Sequence, residues 1–221
     1  MTQTIRKLLT LWLRSAFSRF ASSSTDKGHL EVERKFSLSE DEAARVPLRL
    51  RELNFQPAGI VRMTDHFLPA AVQGEMLRVR RESLDGEPSK ALLTFKQWVA
   101  TSGGGKERRE TERAIGGTIA MIWLILGRIV RGATLLSFSK ERRLFEGELA
   151  GNDSVVSIDE VTGLGPFSGL YLEVETIIDA DSDPSAARNA IFQFVEELFG
   201  EKRADIKRSY MDMLVESKQG Q

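Results

Sequence analysis

The chain has 221 residues, 41% of them hydrophobic, and a formal net charge of −1. That length supports one full core, and the near-neutral balance supplies no global basic field for nucleic acid. There is no cysteine and the only histidines are His29 and His66, so disulfides and thiolate chemistry are excluded and carboxylates are the expected metal ligands.

In chain order, residues 1–24 come first, with Arg6, Lys7, Arg14 and Arg19 and no acid before Asp26. Wound as a helix, Ile5, Leu8, Leu9, Trp12, Leu13 and Ala16 share an apolar face. An acid-free, Arg-rich amphipathic start is the pattern of a mitochondrial transit peptide, with a processing point after Phe20. A disordered or membrane-surface helix is the alternative. The apolar run is too short and too charged to span a bilayer.

Glu31-Val32-Glu33-Arg34-Lys35 follows. On a strand, residues two apart share a face, so Glu31, Glu33 and Lys35 project together and Val32 and Arg34 oppose them. Residues 40–53 read as a helix. The alternation then recurs: Arg78 and Arg80, Thr94 and Lys96, Arg108, Glu110 and Glu112, Lys140 and Arg142, Asp159, and Glu173 and Glu175. Ser102 to Gly105 reads as a hairpin loop, since no Gly-Lys-Ser/Thr follows at P-loop spacing. Residues 114–127 are uncharged but too few to span a bilayer, and are expected as a buried helix packed outside a sheet. Pro184 to Gly200 is a further helix, started by Asp183 and Pro184, with Ala187, Ile191, Phe194, Val195 and Leu198 on one face.

Alternating charge on any one strand usually marks a solvated face. Seven such segments suggest convergence, with seven acids (Glu31, Glu33, Glu110, Glu112, Asp159, Glu173, Glu175) facing seven bases (Lys35, Arg78, Arg80, Lys96, Arg108, Lys140, Arg142). A closed antiparallel β-barrel would bring these rows together, because inward and outward residues alternate along each of its strands.

The ordered set resembles the CYTH domain, the triphosphate tunnel metalloenzyme family. The resemblance rests on Glu31-x-Glu33-x-Lys35, Asp65-His66-Phe67, Leu77-Arg78-Val79-Arg80, Thr94-Phe95-Lys96, Arg108-x-Glu110-x-Glu112, Lys140-x-Arg142, Asp159 to Gly165, and Leu172-Glu173-Val174-Glu175. It implies an α+β fold over residues 28–216: a closed, eight-stranded antiparallel barrel with helices outside. It further implies Mg²⁺, or Mn²⁺, held by Glu31, Glu33, Glu110, Glu112, Asp159, Glu173 and Glu175. The triphosphate would be bound by Lys35, Arg78, Arg80, Lys96, Arg108, Lys140 and Arg142. Lys35 is also a candidate to orient or deprotonate water, with a structural salt bridge to Glu33 or Glu175 as the alternative. His66 stands where the family pattern usually has tyrosine, and Ser157 where some members have a second aspartate.

Residues 28–36 are most similar to thiamine triphosphatases, which implies hydrolysis of thiamine triphosphate, with Trp98 a candidate platform for the thiamine. Inorganic tripolyphosphatase and class IV adenylyl cyclase, which makes cyclic AMP and pyrophosphate from ATP, are the alternatives. The expected partner is a small-molecule triphosphate, with no nucleic acid and no membrane span, on a monomer or homodimer in the mitochondrion or otherwise the cytoplasm.

Overall fold

The computed structural model describes residues 29–68, 75–100, 106–131, 136–179 and 182–219. The chain is α+β. Its described elements are β1 (His29–Leu38), α1 (Glu40–Glu52), β2 (Gln56–Leu68), β3 (Glu75–Leu84), β4 (Lys90–Ala100), β5 (Lys106–Ile115), α2 (Gly117–Arg131), β6 (Leu136–Leu149), β7 (Asn152–Thr162), β8 (Gly169–Asp179), α3 (Pro184–Phe199) and α4 (Tyr210–Gln219). The strands are ordered β1-β8-β7-β6-β2-β3-β4-β5 in an antiparallel sheet. That order ends at β1 and β5, so the closed barrel expected from sequence goes beyond the observed pairings. The leader, residues 1–24, lies outside the described residues.

Two compact units make up the fold: a major unit of Asp26–Arg62, Leu84–Gly86 and Phe138–Gln221, and a minor unit that includes Met63–Ser83 and Glu87–Ser137.

In the major unit, the strand alternation is set by what the helices cover. Val32 and Phe36 of β1, Val156 and Ile158 of β7, and Leu172 and Val174 of β8 share one core with Val46 and Leu50 of α1 and Ile191, Phe194 and Val195 of α3. Each fully buried side chain of this kind is worth roughly 1.5–3 kcal/mol relative to exposure. Their partners of opposite phase, Glu33, Lys35, Ser157, Asp159 and Glu173, are thereby turned to the other face. Gly147 is required where β6 meets Phe55, because a Cβ there would come within 2.8 Å of the ring.

The helix boundaries follow their caps. Ser39 and Glu42 form a reciprocal capping box at α1, and Glu40, Asp41 and Glu42 all sit at its positive end. Asp183 caps α3 ahead of Pro184, and Gly200, at φ 75°, ends it in the left-handed region. The free edge of β1 is covered as well. Ile206 donates its amide to the Lys35 carbonyl at 2.7 Å, and Arg203 reaches the Ser37 carbonyl at 3.4 Å. Carbonyls two residues apart point to one strand edge, so the segment before α4 satisfies groups that β8 cannot reach.

In the minor unit, β3, β4 and β5 form successive antiparallel pairs. The ladder from β4 into β5 closes with Ala100 opposite Lys106, consistent with a hairpin whose glycine-rich tip lies outside the described residues. The apolar run from Ala114 differs from its expected form in two ways. Ala114 and Ile115 still belong to β5, so α2 begins at Gly117 and continues to Arg131. The helix is also not buried: Ala120 and Trp123 are, whereas Ile119, Met121, Ile122 and Ile125 are exposed. A helix lying on a sheet buries only one stripe, and this one is apolar well beyond that stripe.

Candidate functional site: two charge clusters

The major unit gathers five ionisable side chains from four strands. Asp159 of β7, wholly buried, receives Arg142 of β6 in a two-pronged contact, Nε to Oδ1 and Nη2 to Oδ2, both at 2.7 Å. Lys140 Nζ lies 3.1 Å from Asp159 Oδ2 and 3.8 Å from Glu173 Oε2. Glu173 of β8 also takes Lys35 Nζ at 3.1 Å and a hydrogen bond from Arg142. Three cations therefore share two buried carboxylates. Burying an ion without a partner costs several kcal/mol, so each is held by geometry rather than by solvent. Tyr210, the first residue of α4, closes the cluster by donating its hydroxyl to Asp159 Oδ2 at 3.1 Å.

This arrangement separates two neighbouring carboxylates. Burial pushes the Glu173 carboxyl up, but Arg142, Lys140 and Lys35 outweigh it and hold it well below the ordinary range. Glu33 of β1 goes the other way. The adjacent Glu173 charge, then burial, push it up to about 7, with Lys35 only partly opposing. By accessible surface Glu33 is exposed, yet burial still raises it, as expected for a group reached by water but hemmed in by protein. Burial acts against the charged form of Arg142, and Asp159 and Glu173 reverse this to hold it above its usual range. The Tyr210 hydroxyl is raised by burial and by the negative charges of Glu173 and Asp159.

The minor unit carries a second cluster. Asp65 of β2 is 2% exposed and meets Arg80 of β3 twice, Nε to Oδ1 at 2.7 Å and Nη2 to Oδ2 at 3.0 Å. Arg78 Nη1 donates to Asp65 Oδ2 at 3.3 Å, and its Nη2 to Thr94 Oγ1 at 3.1 Å. His66, beside Asp65, is partly buried, and burial lowers its imidazole against the pull of Asp65.

A sequence profile described as the CYTH domain matches residues 29–210. The chain belongs to the CYTH domain family, the triphosphate tunnel metalloenzymes. Among solved structures, this CYTH domain is similar to the PH1819 protein of Pyrococcus horikoshii OT3, with 25% identity and TM-score 0.63, covering 84% of this chain and 98% of that one. The PH1012 protein of the same organism shares 19% identity at TM-score 0.61, covering 83% of this chain and 99% of that one. A putative adenylyl cyclase from Hippeastrum, described as having a dominant triphosphatase activity, shares 16% identity at TM-score 0.57, covering 86% and 96%. No curated protein matches the sequence.

Of the site residues expected in this CYTH domain, the structure brings Glu33, Lys35, Lys140, Arg142, Asp159 and Glu173 together in the major unit. Glu31 adds its charge to Glu33, and Glu175 stands opposite Glu33 in the β1–β8 register. Arg78 and Arg80 meet in the minor unit on Asp65. Lys96, Arg108, Glu110 and Glu112 are placed by their backbone alone: Lys96 opposite Glu110, Trp98 opposite Arg108, and Thr94 opposite Glu112. Their side chains, and that of Trp98, lie outside the described residues.

CYTH enzymes depend on a divalent cation, and the donors of the major unit fit one. Glu33 and Glu173 are hydrogen-bonded carboxylates, one driven toward its protonated form by the other; a hard divalent ion between such oxygens relieves that repulsion. Glu31 and Glu175 adjoin the pair on the same strands. Among the described residues no three carboxylates already form a cage, and Asp159 and Glu173 are also engaged by the basic row. Asp159 in particular has both oxygens engaged by Arg142, Lys140 and Tyr210. It serves as the anchor of the cations.

Two residues on which the clusters turn, Asp65 and Tyr210, were not among the expected site residues. Asp65 does stand in the Asp65-His66-Phe67 segment, two positions before Phe67 on an otherwise apolar phase with Met63. A lone acid on a core-facing phase is a signal for a buried partner.

Proposed function

We propose that this CYTH domain hydrolyses a triphosphate in a divalent-metal-dependent reaction, and that its substrate is thiamine triphosphate, released as thiamine diphosphate and phosphate. The observation that carries the reading is the convergence of Lys35, Lys140 and Arg142 on Asp159 and Glu173 in the major unit. A polyanion with several phosphate groups is the ligand that suits such a row of cations, and Arg142 and Arg80 are suited to two-pronged phosphate contacts.

In this reading Lys35, Lys140 and Arg142 hold phosphate oxygens, and Asp159 keeps the two β6 cations aimed. By the family resemblance, Arg78, Arg80, Lys96 and Arg108 would supply further phosphate contacts. Lys35, between Glu173 and the Tyr210 ring, acts as a phosphate-holding cation. Glu31, Glu33, Glu173 and Glu175 would hold Mg²⁺ or Mn²⁺, with Glu110 and Glu112 adding to the shell. The ion would neutralise charge at the transferred phosphoryl group and lower the pKa of attacking water. Water attacks the terminal phosphorus, the bond to the bridging oxygen breaks toward the diphosphate, and no side chain becomes covalently bound.

Support for thiamine triphosphate comes from the likeness of residues 28–36 to thiamine triphosphatases. The leader supports a mitochondrial location, and a monomer or homodimer is the expected form. Residues 159–165 also resemble class IV adenylyl cyclases, and the Hippeastrum relative is a putative cyclase with dominant triphosphatase activity. The deciding assay offers thiamine triphosphate, tripolyphosphate and ATP in parallel with Mg²⁺ or Mn²⁺. Phosphate released fastest from thiamine triphosphate is expected. Fastest release from tripolyphosphate makes the enzyme a tripolyphosphatase, pyrophosphate with cyclic AMP makes it a cyclase, and silence on all three makes it a binding module.

A further inference from the structure

Tyr210 touches more of the major cluster than its place at the start of a terminal helix requires. Lys35 Nζ stands 3.5 Å from the centroid of its ring and Lys140 Nζ 5.0 Å from it. Its hydroxyl is on Asp159, which also carries Arg142. One side chain thus contacts two of the three cations directly and the third through a shared carboxylate. The ring is itself fixed, 7% exposed, with Phe138 at 5.5 Å and Tyr171 edge-on at 5.4 Å. Tyr171 is tied down in turn by its hydroxyl, which donates to the Phe167 carbonyl.

The helix that delivers Tyr210 is independently located. Ser209 and Asp212 cap each other's amides, so α4 starts at Tyr210 and not a turn later. Ser217, near the other end of α4, lies where a Cβ on Gly165 would meet it at 3.2 Å, and Arg208 stacks 4.7 Å above Phe167. Just upstream, Ile206 holds the Lys35 backbone. The segment 206–210 therefore grips Lys35 from two sides, by its carbonyl and by its ammonium.

We propose that Tyr210 is a positioning residue for the triphosphate site: its aromatic face sets Lys35 and Lys140 a fixed distance apart, while its hydroxyl orients Asp159 beneath Arg142. An aromatic face attracts an ammonium without neutralising it, unlike a carboxylate. The ring thus helps to hold the two lysines without adding to the negative charge that Glu173 and Asp159 already set against them. This inference rests on the functional reading above and adds to it the group that spaces the cations.

The test compares the full chain with Tyr210→Phe and Tyr210→Leu, using tripolyphosphate binding by calorimetry and the lysine side-chain resonances of Lys35 and Lys140. Ring current should shift the Lys35 methylene protons upfield in the native protein and in Tyr210→Phe, and the shift should vanish in Tyr210→Leu. Binding should weaken about tenfold or more in Tyr210→Leu and only about threefold in Tyr210→Phe, since the first loses two cation–π contacts and the hydrogen bond to Asp159 and the second only the hydrogen bond. In turnover the loss should fall on KM more than on kcat, which a general loss of stability would not produce. If the native protein binds tripolyphosphate and Tyr210→Leu binds equally well, the positioning role is wrong while the functional reading stands. Equal losses in both variants overturn the role of the ring. If the native protein binds no triphosphate, the functional reading falls and the role of Tyr210 falls with it.

Discussion

The minor and major clusters are built on the same device. In each, two cations two residues apart on one strand, Arg78 and Arg80 or Lys140 and Arg142, are fastened to a buried aspartate, Asp65 or Asp159. They differ in what surrounds it. Among the described residues the minor cluster takes in the neutral hydroxyl of Thr94, whereas the major one continues through Glu173 to Lys35 and Glu33. A cation pair on one aspartate can only hold an anion. Joined to a strained carboxylate pair, the same device can hold an anion and a metal cation side by side. In the proposed function the metal therefore belongs to the major cluster, and the minor one supplies phosphate contacts.

The comparison is open to breakage, first in the catalytic assay. Glu33→Gln should reduce metal-dependent turnover by two orders of magnitude or more (~10²-fold) with little change in fold. Substantial residual activity would place the metal elsewhere. Next in size, Asp159→Asn leaves buried cations uncompensated and should cost about 3–5 kcal/mol in urea unfolding. Asp65→Asn should cost less, about 2–3 kcal/mol, because Asp159 holds the Tyr210 hydroxyl in addition to its cations. Equal losses would mean that the extra connections of the major cluster contribute nothing. Arg80→Ala should weaken triphosphate binding more than diphosphate binding, by about tenfold against about threefold; matching losses would deny the minor cluster a place on a particular phosphate.

Smaller effects concern pH. Glu33, raised from 4.5 to about 7, binds its proton more tightly in the folded state. With metal chelated, stability should be greatest below about pH 4.5 and decline as pH rises toward 7, and Glu33→Gln should flatten that decline. A wild-type curve already flat over this range would show that Glu33 and Glu173 do not repel as described. Glu42 has the opposite sign. Arg203 and the Ser39 cap pull it down to about 2, so its contribution is present above about pH 4.5 and disappears as pH falls toward 2. Its partly exposed position limits it to under about 1 kcal/mol, visible as a shallower acid limb in Glu42→Gln.

The strands were legible because burial follows a period of two, and the ladders that align Glu33 with Glu175 and Lys35 with Glu173 bear out the alternation. The start of α3 was equally readable from Asp183-Pro184, whereas the Ser39–Glu42 box that starts α1 emerged only from the structure. The partners of the charges were not, because they depend on which strands adjoin. Nothing in Lys140-Glu141-Arg142 says that β7 brings Asp159 beneath it, or that a residue as remote as Tyr210 covers both. The α2 stretch misled for the opposite reason: uniform apolarity gives no phase, so sequence could not tell its buried stripe from the exposed Ile119, Met121, Ile122 and Ile125.

The first strand of the major unit is completed late. Val32, Lys35 and Phe36 find their ladder only when β8 exists, and the carbonyls of Lys35 and Ser37 are satisfied by residues 203–206. Between them in the chain lies the minor unit, so β1 must wait on the ribosome while another unit is made. Contacts so distant in sequence slow folding and leave strand edges bare in the interim. The charges of Glu31, Glu33, Arg34 and Lys35 keep that waiting strand soluble, so the row proposed to meet phosphate and metal also protects the chain during its own synthesis.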